Sequence, residues 1–338
     1  MFFKKLRSLG WRKVNPKEVR KLYSNIDELL KKYNLKPKKV LKLKGDGSQR
    51  FFYRLEFLNE SFVLILPQPG EQGILEAENY YKVAKFLEYY DIPAPRIKLW
   101  DSENKILIVE DLGNTSLFDL DESTRIKIYP RVIEIMVKLQ SLTTEFESSL
   151  GHINPIYDFE FMWKNEFLYF FEWYVKKVKC IFPSTNFLSH LKALIKSIGT
   201  PTSNTLIHRD FQSKNIMIKN GEPFLIDFQG MRIGDPLYDL ASLIFDPYIS
   251  ELDNENLRKS LLSSFCQLKG WDQNEAVKRL YFIGIARLHQ AIGAYCKLSS
   301  QGKVWFKKFI NPALFRLKNL LKNHFSEIYK LYEEEKIL

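Results

Sequence analysis

Cysteine is scarce in this chain of 338 residues: Cys180, Cys266 and Cys296 lie far apart, form no C-x-x-C pair and are odd in number. That excludes a zinc ribbon and a disulfide framework and makes a reducing, cytoplasmic setting the expectation. No run approaches the roughly 18 apolar residues of a membrane span. The opening MFFKKLRSLGWRK also lacks the apolar core of a secretory signal. Stable membrane insertion is therefore not expected, and Phe2, Phe3, Leu6 and Trp11 among basic residues suit only weak contact with a membrane surface. Internal repeats and low-complexity tracts are absent, which excludes solenoids and disordered arrays. The formal net charge of +11 is spread along the chain in small clusters such as Lys38-Lys39 and Lys307-Lys308. It reads as solubilising surface, compatible with an anionic substrate, and not as a nucleic-acid stripe. One absence is local: between Arg54 and Lys82 there is neither lysine nor arginine, and the stretch SFVLIL there reads as a buried strand.

What is present suffices for a large core. At 45% hydrophobic the chain is expected to form two lobes. Val19, Leu22, Tyr23, Ile26, Leu29 and Leu30 recur at helical spacing over residues 16–34, and Pro37 closes that segment. VLKLKGDGSQRFFYRLEFLNESFVLIL then alternates like strand, glycine-rich turn, strand, turn, strand. A helix over GILEAENYYKVAKFLEYY, the breaker IPAPRI and the apolar strand KILIVEDLG follow. From Ser123 onward helical spacing dominates. The fold class is thus α+β and two-lobed: an N-terminal helical extension over residues 1–36, a small sheet-rich lobe over 37–113 and a larger, mostly helical lobe over 114–338.

The stretch LIHRDFQSKNIMIKNGEPFLIDFQG, residues 206–230, carries the chemistry. Asn220-Gly221 is a type I′ hairpin signal, because both central positions of that turn need positive φ. Pairing outward sets Lys219 against Glu222, Met217 against Phe224 and Ile216 against Leu225, which brings Asn215 beside Ile226 and Asp227 at the open end. Pro223 must then turn its nitrogen away from the partner strand. Two oxygen donors meet there, with the carboxylate of Asp210 on the preceding loop. Mg²⁺ takes such a set and completes it with phosphates and water, and phosphoryl transfer uses a further carboxylate to accept the proton of the attacking hydroxyl.

HRDFQSKN followed by DFQ resembles the catalytic loop and metal-binding turn of the protein-kinase-like superfamily. By that resemblance Asp210 is the catalytic base, Asn215 and Asp227 hold the metal, His208 supports the loop, and the cofactors are ATP and Mg²⁺. Gln229 stands where protein kinases have glycine, and DPLYDLA follows too soon for a long activation segment, so a small-molecule acceptor is implied. GDPLYDLASL offers Asp235 and Pro236 as a helix start on local chemistry alone. It also resembles an element of aminoglycoside phosphotransferases and choline kinases, which implies that Asp239 braces the catalytic loop and leaves Asp235 divided between cap and active-site support.

On the nucleotide side, Gly45, Gly47 and Ser48 form a flexible turn able to cover phosphates. IVEDLG resembles the adenine hinge, with Glu110 to Leu112 acting through their backbone. The strand lysine of kinases is missing, so phosphate charge falls to the metal, to backbone donors, or to Arg50 or Arg54. Helix glutamates such as Glu76 and Glu78 also lose their usual partner. An apolar residue at that strand position is what the resemblance to the bacterial N-acetylmuramate/N-acetylglucosamine kinase branch implies, and segments from GDGSQRFFYRL to ARLHQAIGAYCKL follow in that branch's order.

Phe159, Met162, Trp163, Phe167, Phe170 and Tyr174 share one helical face and read as core, with Trp163, Trp173, Glu166 and Glu172 as candidates to line an acceptor pocket. The region after Gly230 holds more Lys and Arg than Asp and Glu, which leans away from cationic acceptors. The activity that the resemblance to that branch implies is transfer of the γ-phosphate of ATP to the anomeric hydroxyl of an N-acetylated amino sugar, with Arg232 and Arg287 as candidates for an acceptor carboxylate. A choline- or aminoglycoside-type kinase and a non-catalytic nucleotide-binding protein are the alternatives, and nothing in the sequence sets the oligomeric state.

Overall fold

The computed structural model describes residues 26–43 and 50–338. Gly45, Gly47, Ser48 and most of the N-terminal helical extension lie outside the described residues. The chain divides into two compact units. One holds the described residues up to Tyr81 together with Arg96–Asp111, and the other holds Lys82–Pro95 and Leu112–Leu338.

The first unit is an antiparallel sheet of β1 (Lys39–Leu43), β2 (Phe51–Glu56), β3 (Ser61–Leu66), β4 (Ile97–Asp101) and β5 (Ile106–Glu110), in the order β1-β2-β3-β5-β4. Alternation in the sequence builds one face: Leu55, Leu64, Leu66, Ile106 and Ile108 point the same way and pack with Leu29 and Leu30 of the helix Ile26–Lys32. Each such buried leucine contributes about 2 kcal/mol. On the opposite face, Arg54 of β2 meets Asp111 just past β5, with Nε 2.5 Å from Oδ2 and both side chains largely buried. Ser61 at the start of β3 donates to the same carboxylate at 2.7 Å.

The second unit is mostly helical. Its longest helix, Gln273–Ser300, is buried along most of its length, from Ala276 to Cys296. At Gly293 a Cβ would lie 2.7 Å from the Tyr169 ring and 3.1 Å from its carbonyl oxygen, so any side chain there would push Tyr169 away. The aromatic run Phe159 to Tyr174 faces inward as its spacing predicts, with Met162, Phe167 and Phe170 fully buried. The spacing did not foresee that Trp163–Phe167 and Phe171–Lys176 are π-helical, a local widening frequent at functional sites. Two short antiparallel pairs complete the unit: β6 (Thr205–Ile207) with β9 (Arg232–Gly234), and β7 (Ile216–Lys219) with β8 (Glu222–Leu225). Among the described residues no helix is long and apolar enough to cross a membrane.

Candidate active site

The β7–β8 hairpin has the register expected from its turn: Lys219 faces Glu222, Met217 faces Phe224 and Ile216 faces Leu225, with Asn220 at φ +54° and Gly221 at φ +81°. Pro223 lies opposite Ile218, whose N–H donates instead to Thr115 O at 2.8 Å. At the open end Ile226 N donates to Asn215 O at 3.0 Å, so the loop carrying Asn215 and the turn carrying Asp227 are joined by backbone. Asp227 adopts φ +64°, a left-handed conformation that costs a non-glycine residue of the order of 1 kcal/mol. Its Oδ1 accepts from Gln229 Nε2 at 2.8 Å, so the glutamine that replaces the kinase glycine orients the carboxylate.

The loop from His208 to Asn215 is held from behind. Asp239, fully buried in the helix Tyr238–Ile244, accepts from His208 N at 2.7 Å and from Arg209 N at 2.9 Å. These two bonds secure Arg209 at φ +78°. Burial pushes the Asp239 pKa up to about 7, against the pull of the two backbone N–H groups. His208 is buried edge-on to Phe211, with ring centroids 5.7 Å apart, and burial lowers its pKa, so the ring packs as a neutral group. Asn215 Nδ2 donates to Asp210 O at 2.9 Å, which turns its Oδ1 away as an acceptor oxygen. Among the described residues no three His, Cys, Asp or Glu side chains converge as a metal site. The available set is the amide oxygen of Asn215 and the carboxylate of Asp227, two hard oxygens of the kind Mg²⁺ supplements with phosphate and water.

Asp210 is partly exposed and flanked by two guanidinium groups, Arg209 Nη1 at 3.8 Å from Oδ2 and Arg287 Nη2 at 3.8 Å from Oδ1. Arg287 is buried in the long helix, where its Nε donates to Ser242 Oγ at 3.0 Å. A third guanidinium, Arg232, donates to Gly230 O at 3.0 Å and stacks over Phe161 at 4.6 Å, with Arg209 over the same ring at 5.5 Å. Burial and the like charge of Arg209 lower the Arg232 pKa to about 10. Glu166 lies behind them, fully buried, accepting from Tyr157 OH and Tyr238 OH at 2.7 Å each, and burial raises its pKa.

Several residues stand differently from their sequence-based reading. Glu166 and Trp163 are buried and cannot line an open acceptor pocket, because the tyrosines and the Trp163–Phe167 stack enclose them. Trp173 is partly buried with Lys297 Nζ 5.6 Å from its ring, and Glu172 pairs with Lys176 at 3.3 Å. Asp235 is not the N-cap. The helix begins at Tyr238 with Leu237 as cap, two residues beyond Asp235; one Asp235 oxygen still makes a cap-like bond, accepting from Leu237 N at 3.0 Å, while the other is taken by Arg279 at 2.5 Å and by Thr202 N.

In the first unit, Arg50 stacks over Phe52 at 5.3 Å. Glu110 ends β5, with its N–H donating to Arg96 O at 2.8 Å. Glu78 pairs with Lys105 at 2.8 Å and so finds a cation elsewhere than on β3. Leu112, in the second unit, is buried. A cavity of about 440 Å³ lined by His190, Leu194 and Lys330 includes none of the candidate residues. Sequence reading missed Asp246, Arg279 and the contact of Arg287 with Asp210. Only Asp246 had a local signal, as an acidic residue just past the end of the helix that carries Asp239.

A five-stranded sheet unit and a helical unit that presents an Asp-Asn-Asp set on a loop and a hairpin mouth define a phosphotransferase of the two-lobed, kinase-like class. Residues 39–276 match the Phosphotransferase enzyme family, and the chain belongs to that family. It is similar to the N-acetylmuramate/N-acetylglucosamine kinase of Neisseria meningitidis serogroup B, 24% identical over 85% of this chain and 87% of that protein. The protein of the same name from Pseudomonas aeruginosa is 23% identical over 63% of this chain, and the match spans 62% of that protein's length. Among solved structures, choline kinase LicA from Streptococcus pneumoniae superposes with a TM-score of 0.59 at 17% identity, covering 88% of this chain and 99% of that one. Plasmodium vivax ethanolamine kinase gives 0.58 at 16% identity, covering 94% and 92%. These two likenesses establish the fold alone.

Proposed function

We propose that the protein transfers the γ-phosphate of ATP to the anomeric hydroxyl of an N-acetylated hexosamine, N-acetylmuramate or N-acetylglucosamine. In this reading Asn215 and Asp227 hold Mg²⁺, which when bound neutralises charge on the nucleotide phosphates. Asp210 orients the acceptor hydroxyl and takes its proton. An anomeric hydroxyl is more acidic than an ordinary alcohol, so late proton transfer in a loose transition state suffices. Arg209 and Arg287 flank the carboxylate and set its direction. Asp239 and His208 support the loop, and Asp235 supports it more remotely through Leu237 N, beside the helix that carries Asp239. On the donor side, Gly47, Ser48 and Arg50 serve the phosphates, and the backbone of Glu110 and Leu112 serves the base.

The carrying observation is the charge around Asp210. Arg209 and Arg287 each lie 3.8 Å from the Asp210 carboxylate, and Arg232 shares the Phe161 ring with Arg209, so three guanidinium groups gather beside the candidate base. Such surroundings repel a cationic acceptor such as choline or an aminoglycoside and accommodate a neutral sugar or one with a carboxylate. The names of the similar proteins support the same acceptor class. The test is ATP consumption with N-acetylmuramate, N-acetylglucosamine, choline and an aminoglycoside side by side, with phosphorus NMR of the product. A sugar 1-phosphate is expected, and turnover confined to the two cationic acceptors overturns the reading.

A further inference from the structure

The loop that carries Asp210 and Asn215 hangs from two buried carboxylates. Asp239 holds its first two backbone N–H groups. Its far end is held by Asp246, which is 1% exposed. Asp246 Oδ2 accepts both Ser213 N at 2.7 Å and Ser213 Oγ at 2.6 Å, while Oδ1 accepts Tyr248 N at 3.0 Å. The main chain around Asp246 is gripped in turn by Arg316 of the helix Ile310–His324. This side chain donates to Asp246 O, to Ile249 O at 2.5 Å and to Asp253 Oδ1 at 2.6 Å, and is itself buried. Ser213 opens the short turn Ser213–Asn215, so the bonds that fix Ser213 fix the direction from which Asn215 leaves the loop. From there Asn215 bonds Asp210 O through Nδ2 and Ile226 N through its own carbonyl.

We infer that Asp246, secured by Arg316 and acting through Ser213, is a positioning residue that aims the amide oxygen of Asn215 at the metal of the nucleotide complex. The inference rests on the phosphotransferase reading given above. A carboxylate is required because Ser213 presents an N–H and an O–H to one oxygen while the other oxygen receives a further N–H. An amide at this position turns a donor group against one of those three donors. Partners that orient a metal ligand in this way are commonly worth 10- to 100-fold in metal affinity.

The experiment measures ATP binding to the full chain by calorimetry across a Mg²⁺ series, with melting temperatures alongside, so that no acceptor or turnover is needed. Asp246→Asn is expected to raise the Mg²⁺ concentration for half-maximal ATP binding by about tenfold or more, with ATP affinity at saturating Mg²⁺ close to that of the unaltered protein. Ser213→Ala keeps the N–H bond and loses only the hydroxyl. It is expected to shift the same midpoint in the same direction by less, and it carries the test if Asp246→Asn does not fold. A lower melting temperature with an unchanged Mg²⁺ midpoint means that Asp246 only holds the fold, and overturns the inference. If the unaltered protein shows no Mg²⁺-dependent ATP binding, the phosphotransferase reading falls and this inference with it. Normal binding by the unaltered protein with unshifted variants overturns this inference alone.

Discussion

The sheet unit and the surroundings of Asp210 in the helical unit treat charge in opposite ways. In the sheet unit the ion pairs close on themselves: Arg54 is taken by Asp111, Glu78 by Lys105 and Lys32 by Asp101. Around the candidate site of the helical unit charged groups do not pair one to one, although Asp235 with Arg279 does beside it. Asp210 has two guanidiniums at 3.8 Å, beyond direct hydrogen bonding, and Glu166 is held by tyrosines. The two left-handed residues of the candidate site, Arg209 and Asp227, also lie there. Closed pairs stabilise a scaffold. Unpaired buried charge and strained backbone persist only where surrounding structure holds them, and such features gather at sites that act on something else.

If this contrast is right, changes in the helical unit should affect chemistry and changes in the sheet unit should affect stability. The largest effect is expected from Asp227→Ala, which should abolish Mg²⁺-dependent turnover, with Asn215→Ala less severe because a carboxylate outweighs an amide as a ligand. Magnesium titration of activity checks this, and unchanged apparent metal affinity in both variants would mean that the hairpin mouth is not the metal site.

Next is Asp210→Asn, expected to lower turnover by about 10² to 10⁴, the usual worth of a positioned general base, with folding and ATP affinity retained. Single-turnover rates and nucleotide binding measured together separate the two effects. A folded variant with normal turnover removes Asp210 from the mechanism.

In the sheet unit, Arg54→Met takes the cation away from a largely buried carboxylate and is expected to cost about 3 kcal/mol. Adding Asp111→Leu should recover most of that loss, because an apolar pair of similar size replaces a buried ion pair well. Urea denaturation of the single and double variants measures it. If turnover falls in the double variant while stability recovers, Arg54 serves the phosphates and the contrast between the units breaks.

The smallest effect concerns pH. His289, buried in the long helix between Ile285 O and Tyr332 OH, has its pKa lowered to about 4 by burial. Its folded value lies below the ordinary 6.5, so the folded state binds fewer protons between the two values. Its contribution is present above pH 6.5 and is lost as the pH falls toward 4. Denaturation midpoints at pH 7.5 and 5 should therefore differ more in the unaltered protein than in His289→Phe.

Local rules made much of the site legible. The register of β7 and β8 followed from Asn220-Gly221, since a turn with two positive φ values leaves one pairing. That register alone brought Asn215 to Ile226 and Asp227. The sequence leaves Asp235 divided between cap and active-site support because the same residue types serve as cap and as ion-pair partner. Arg279, distant in sequence, takes one Asp235 oxygen while the other accepts from Leu237 N in the manner of a cap.

The sequence by itself determined the two-unit α+β class and the hairpin, and singled out Asp210, Asn215 and Asp227 as candidates, because backbone preference and side-chain chemistry act over a few residues. Only the tertiary structure decided which charges meet. Arg54 with Asp111, Arg287 with Asp210 and Arg316 with the segment around Asp246 join residues from 57 to 77 positions apart. Local periodicity carries no trace of such pairs, since a buried charge is stable only beside whatever the completed fold places next to it.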